Sequence, residues 1–477
     1  MSSSMSSSHH LLSVPILAMD ELLAARYQMA LSLGYHIILS CFGVAFPSMI
    51  YVLHRRGLQQ DDPIALALAK KWAKVSAVLF AVGAVSGTIL SFEMGLLWPG
   101  LMSTYGDVIG LPFAMEGIAF FTEAVFLGIY LYGWGRLRPE VHLRTLLPIM
   151  VSGMFGTFCI VAVNAWMNAP AGFTLGPDGS VTDVDPVAAI FNDALWPQFL
   201  HMWVAAFAVT GFLVAAVYAV GMLRGRGDAA HRLGFTVPFT FAVVAAFFQP
   251  VIGHVAGMRL DTDQPSKLAA MELATETEDH APILIGGWLV DGEVRGGIEI
   301  PGLASLLAGN SLDTVIVGLD DIPDDEEPPA NIVHWAFQTM VAAGSAMVAI
   351  GAWWLVRRRR DRTEDGSGVF ASAWFLRAAV LAGGLSVIAL EAGWTTTEVG
   401  RQPWIVYGVM RTSEAVTTNS GVWISLVAMI VVYTSMAIVA GRVLRGMARR
   451  WRADPTSDLP TPYGPGGEAF VTTGSER

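Results

Sequence analysis

The run from Ala378 to Leu390, Ala-Ala-Val-Leu-Ala-Gly-Gly-Leu-Ser-Val-Ile-Ala-Leu, ends on a carboxylate. Glu391-Ala392-Gly393-Trp394 then leads into Gly400-Arg401-Gln402-Pro403-Trp404. An apolar run of this kind reads as a membrane span, and an ionisable side chain at the edge of hydrocarbon is costly enough to need a named partner. Two readings of Glu391 stand at this point. One is an interfacial glutamate bonded to loop amides; the other is a ligand or proton carrier serving a buried redox group.

Outward from that stretch, long apolar runs recur along most of the 477 residues. The chain is 53% hydrophobic and 14% charged, against roughly 25% charged in a typical soluble domain. It therefore reads as an all-α integral membrane protein. Spans are expected at 23–53, 74–98, 111–134, 145–168, 198–223, 233–256, 332–356, 372–394 and 420–444, nine helices each near or above the ~20 residues a bilayer demands. Basic loops (His54 to Lys74, Arg136 to Arg144, Arg224 to Arg232, Arg357 to Arg360, Arg442 to Arg452) alternate with acidic or neutral ones. The positive-inside rule then sets the N-terminus outside and the C-terminus in the cytoplasm.

The domain plan follows: a polar tail over 1–22, helices 1–6 over 23–256, an external loop over 257–333, helices 7–9 over 332–444 and a cytoplasmic tail over 445–477. Met1 to His10 is low-complexity sequence without the basic start of a signal peptide. The net charge of −11 is segregated by loop and gives no pointer to nucleic acid. Cys41 and Cys159, the two cysteines, both lie in apolar runs, which argues against a disulfide framework, an iron–sulfur cluster or a thiolate zinc site. Within the acidic external loop, Lys267 to Glu272 has helical character, while Ile298 to Pro301 and Val315 to Val317 suggest short extended pieces. A loop this long with structure of its own is usually functional.

Polar residues inside the spans are placed by depth at 1.5 Å of rise per residue. His201, Met340 and Glu391 fall in the outer half, with helix 8 ending at Glu391, and His36 falls toward mid-depth. Helix 3, entering near Leu111, carries Glu116 and Glu123 on one face, the second about 10 Å deeper. Any one of these has a bland alternative, since a lone histidine is commonly a packing residue and a methionine among alanines core filler. Two membrane carboxylates on one face favour a proton route. Jointly the set favours haem iron, which accepts His/Met axial pairs.

The motifs then stop being anonymous. Glu391-Ala-Gly-Trp394 with Gly400-Arg-Gln-Pro-Trp404 resembles the signature of subunit I of cytochrome bd-type quinol oxidases. So do Ala25-Arg-Tyr-Gln28 through His36, Ser86-Gly-Thr88 through Phe92-Glu-Met-Gly95, Ala114-Met-Glu-Gly117, Phe120-Phe-Thr-Glu123, Val163-Asn-Ala-Trp-Met167, Gln198-Phe-Leu-His201 and Lys267-Leu-Ala-Ala-Met-Glu272. The resemblance runs from helix 1 to helix 9. It implies a haem-containing respiratory oxidase of the bacterial cytoplasmic membrane that oxidises quinol outside and reduces O2 to water with cytoplasmic protons, electrogenic and non-pumping.

By the same resemblance, His201 and Met340 are the axial pair of a low-spin haem b. His36 and Glu391 are axial ligands of two high-spin haems, a haem b and a haem d or further haem b; the resemblance favours His36 at haem d, and the order of the pair differs among family members. Glu116 and Glu123 match the oxygen site and its proton supply, with Asn164 nearby. Lys267 and Glu272 match the quinol-binding loop, and Arg401 and Trp404 would support haem propionates or electron transfer. A haem-free subunit II, and small single-helix subunits, are the implied protein partners.

Two departures stand out. Gln338 replaces an arginine found in many relatives, and the external loop lacks a long insertion; Ser91 to Trp98 leans toward the short-loop, cyanide-insensitive branch. A haem–copper oxidase would need more histidines, and His36, His201, His254 and His334 lack the paired spacing of a quinol–cytochrome c type cytochrome b. A proton-coupled transporter working through Glu116, Glu123 and Glu391 would be expected to show an internal repeat, and none is visible.

Overall fold

A computed structural model describes residues 20–363 and 366–454, so the tract before Asp20 and most of the expected C-terminal tail lie outside the described residues. Among the described residues, nine helices are long and apolar enough to cross a membrane. They are α1 (Glu21–Gln59), α2 (Pro63–Leu97), α3 (Pro99–Tyr132), α4 (Leu146–Asn168), α5 (Leu195–Leu223), α6 (Ala229–Met258), α7 (Ala330–Arg360), α8 (Ala373–Val399) and α9 (Val422–Ala453).

Local chemistry starts these helices. Asp20, Asp62, Asp228 and Ser372 accept from backbone N–H groups of the first turns of α1, α2, α6 and α8. Pro63 and Pro99 occupy first helical positions, where proline's missing N–H costs nothing. Those prolines account for two corrected boundaries. α2 begins at Pro63 and not at 74, and α3 begins at Pro99 and not at 111, because each helix continues beyond its apolar stretch to a start signal. The third correction concerns Glu391. α8 does not end there but runs on to Val399, so Glu391 lies about 12 Å inside the helix. Thr395, Thr396 and Thr397 donate to the carbonyls of Glu391, Ala392 and Gly393, which carries the last turns through a polar stretch.

Two of the larger apolar cores tie the helices together in fours. Phe46, Trp72, Tyr130 and Ile149 join α1 to α4, while Phe212, Phe239, Trp354 and Phe375 join α5 to α8. α9 leans on α1 and α2. Glu21 of α1 accepts from the N–H groups of Gly421 and Val422, which pins the start of α9.

The segment between α6 and α7 folds into a cap. Pro265–Glu272 is a helix, Ile283–Ile285 pairs with Ile298–Ile300, and Trp288–Val290 pairs with Glu293–Arg295. Ile316 forms a bridge with Glu278. Ala269, Ala270, Leu273, Leu284 and Val333 make its own small core against α7. His334, at the foot of α7, turns both ring nitrogens to the carbonyls of Met271 and Gly286, so it anchors the cap.

Candidate functional site

α1 serves as a common ruler for the candidate residues. His36 meets Ser86 of α2, with Nδ1 2.8 Å from the hydroxyl. That hydroxyl donates its own hydrogen to the Gly83 carbonyl (3.0 Å). Nδ1 must then be the donor to Ser86, which leaves the lone pair of His36 on Nε2, the arrangement a metal-ligating imidazole needs. Gly87 gives the ring its room, since a Cβ there would stand 3.0 Å from His36 Cε1.

Two residues from His36, Gly34 lies under Glu391: an added Cβ would meet Oε2 at 3.1 Å. The other oxygen, Oε1, is buried without a hydrogen-bond partner. His36 and Glu391 therefore reach α1 within about 3 Å of the same depth. Seven residues further along, Gly43 lies against Glu123 (3.4 Å), about 10 Å beyond His36.

His201 and Met340 are seated in the same manner. The His201 ring rests over Gly253 of α6, with Cε1 3.2 Å from a would-be Cβ, and its Nδ1 is buried and unpaired. Met340 sulfur lies 2.8 Å from the Cβ position of Gly393 on α8. Four candidate ligands thus face glycines. Among the described residues no three His, Cys, Asp or Glu side chains gather as a metal cluster. Histidine and methionine side chains are donors that haem iron accepts.

Beyond the end of α8, a polar network joins the bundle to the cap. Arg401 donates to Glu398 (2.6 Å), and Glu398 accepts from Asn164 (2.5 Å). Asn168 donates to Asn164 and accepts from Lys267 Nζ (3.0 Å) and Gln264 (3.0 Å). Asn164 is accordingly bonded into this network and not to Glu116 or Glu123, beside which it was expected. Arg401 is buried, and its Nε and Nη1 have no partner, leaving two donors suited to an anionic group such as a propionate. Trp404 lies in a short strand pair with Arg411, whose guanidinium sits over its ring at 5.1 Å. Gln338 donates to the Leu284 carbonyl of the cap (3.0 Å).

Lys267 and Glu272 occupy the two ends of the buried cap helix. Burial lowers the Lys267 ammonium to about 7; the Arg401 charge adds to this and Glu398 opposes it. Burial alone raises the Glu272 carboxyl to about 7, and its Oε2 has no partner. The sequence reading gave no role to Ser86, Asn168, Gln264 or Glu398. Glu398 did carry a signal, seven residues after Glu391 and so on the same helix face.

The model of the cytochrome bd terminal oxidase subunit I family matches residues 24–451. A putative cytochrome bd menaquinol oxidase subunit I of Bacillus subtilis (strain 168) is 35% identical over 445 residues, covering 91% of this chain and 98% of the relative. The cytochrome bd-II ubiquinol oxidase subunit 1 of Escherichia coli (strain K12) is 25% identical over 520 residues, 93% of this chain and 99% of the relative. A chain in the structure of bd oxidase from Geobacillus thermodenitrificans superposes with a TM-score of 0.85 at 37% identity, covering 90% of this chain and 99% of that one. The transporter reading lapses with these matches. The chain belongs to the cytochrome bd terminal oxidase subunit I family, multi-pass proteins of the bacterial cytoplasmic membrane that form part of a quinol-oxidising enzyme.

Proposed function

We propose that this chain is the haem-bearing subunit of a terminal oxidase that oxidises quinol at the outer face and reduces O2 to water with protons drawn from the cytoplasm. The observation that carries the reading is the pair His36 and Glu391. They reach α1 at one depth, with Nε2 of the first and Oε1 of the second unclaimed by protein groups.

His201 and Met340 would hold a low-spin haem b. His36 and Glu391 would hold two high-spin haems, a haem b and either haem d or a further haem b. Bound haem supplies one-electron transfer and oxygen chemistry. The protein's part is ligation, orientation and proton handling. Ser86 fixes the His36 tautomer, and Arg401 offers its two open donors to a propionate beside Trp404. Glu272, as a carboxylate, accepts a proton from quinol, while Lys267 and Asn168 orient the quinol oxygens. Glu116 and Glu123, on one face of α3, hand protons toward the His36 and Glu391 level from the cytoplasmic side. Asn164 steadies Glu398 and thereby Arg401.

The orientation is N-terminus outside and C-terminus in the cytoplasm, which puts the 257–333 cap outside as the quinol loop. Charge then crosses the membrane with turnover but without pumping. Phe92, Leu96, Ile118 and Phe121 are exposed apolar residues on α2 and α3, which suits lipid and a haem-free subunit II; small single-helix subunits would complete the complex. A reduced-minus-oxidised absorption spectrum with haem extraction and mass identification tests the reading. Three haems per chain support it, and a colourless preparation ends it.

A further inference from the structure

Glu93 lies four residues before the end of α2 and is only 4% exposed. Ser86, whose hydroxyl holds His36, is seven residues earlier on the same face of α2. On the facing helix, Gln28, Ser32 and His36 follow at spacings of four, again one face. The α1–α2 seam therefore places Glu93 on the outer side of His36, beside Ser32, which is one turn and about 6 Å of rise away from the ligand.

Its hydrogen bonding is incomplete. Glu93 Oε1 accepts from Gln28 Nε2 (2.8 Å) and Ser32 Oγ (2.9 Å), and Gln28 in turn accepts from Ser425 of α9 (2.6 Å). Oε2 is buried with no partner, and so is the hydroxyl of Tyr433 on α9. No cation is paired with Glu93 among the described residues. The ionisable group set toward it is Tyr433 from α9, which also faces Ser32 and whose ring lies 4.7 Å from that of Tyr35 on α1. Arg26 is turned away to Gln402, and Glu391 faces α1 at Gly34.

A carboxylate with two neutral donors and no cation is costly in a membrane interior unless it is protonated or balanced by a positive centre nearby. An iron porphyrin on a neutral imidazole offers that balance only when oxidised, because its core loses its positive charge on reduction. We propose that Glu93 is a redox-linked proton site for the centre that His36 holds. Glu93 takes up one proton from outer-side water as that centre gains one electron derived from quinol, and returns it when the electron leaves. Only the carboxyl O–H bond forms and breaks. The inference rests on His36 being an axial ligand.

The test is spectroelectrochemical titration of the purified oxidase complex over a series of pH values, with redox-difference infrared spectra. In the wild type the midpoint potential of the His36 haem should fall as pH rises. Glu93→Gln keeps the shape and the acceptor for Gln28, and should remove at least half of that slope, together with a carboxylic C=O band that appears on reduction. The slope of the His201/Met340 haem should stay as it is, and Glu93→Asp should restore part of the loss. Equal slopes and an unchanged band in wild type and Glu93→Gln overturn the proposal. A His36→Ala protein that retains all three haems overturns the ligand assignment instead, so the two failures are read apart.

Discussion

One hydroxyl decides what His36 can do. Because Ser86 spends its hydrogen on Gly83, the imidazole presents a lone pair on Nε2. Second-sphere partners of this kind are worth 10–100-fold in affinity, so Ser86→Ala should weaken haem binding at His36 by about 10-fold, read as the rate at which that haem is lost to a haem-scavenging protein. For Glu123, a general acid–base role is worth on the order of 10²-fold. Glu123→Gln should therefore cut quinol oxidase turnover by about that much while leaving the low-spin haem spectrum intact; wild-type turnover removes Glu123 from the route. Glu272 keeps its proton up to about pH 7, so a proton-accepting role makes quinol oxidation rise through pH 7. Glu272→Gln should abolish that limb and lower kcat by about 10²-fold.

The same two cap residues carry a stability signature. Glu272 titrates above its unfolded value of 4.5, so its contribution is lost as pH rises toward 7; Lys267 titrates below its unfolded value of 10.5, so its contribution returns as pH rises beyond 7. Protection of the cap against limited proteolysis should be lowest near pH 7.

Between elements, glycine sets how closely the ligand side chains approach their neighbours. Gly34, Gly87, Gly253 and Gly393 each stand where a methyl group would press on Glu391, His36, His201 or Met340. Overpacking at such a site costs about 1–3 kcal/mol when the neighbour cannot move. Gly393→Ala, which would put Cβ 2.8 Å from the Met340 sulfur, should displace the thioether and shift the low-spin haem toward a high-spin spectrum with the other two haems retained. The helix register was readable from apolar runs, but the ends were not. Pro63 and Pro99 extend α2 and α3 by a polar-tolerant stretch, and three threonines carry α8 past Glu391. An apolar run marks only the part of a helix that hydrocarbon must cover.

For the whole molecule, alternation of basic and acidic loops gives an orientation that can be checked directly. Trypsin should cut at Arg357 to Arg360 in inside-out vesicles and spare that loop in right-side-out ones. The amino-acid order by itself determined the nine apolar spans, the two-turn spacing of Glu116 and Glu123, and the helical Lys267 to Glu272, because each depends on periodicity and hydrophobicity within one segment. Only the tertiary structure decided that α1 gathers Glu93, Glu391, His36 and Glu123 along its length. It alone moved Asn164 to Glu398, gave Gln338 to the Leu284 carbonyl, and left two donors of Arg401 open. Those outcomes depend on which helices touch, and contact between segments far apart in the chain is set by packing, on which local pattern is silent.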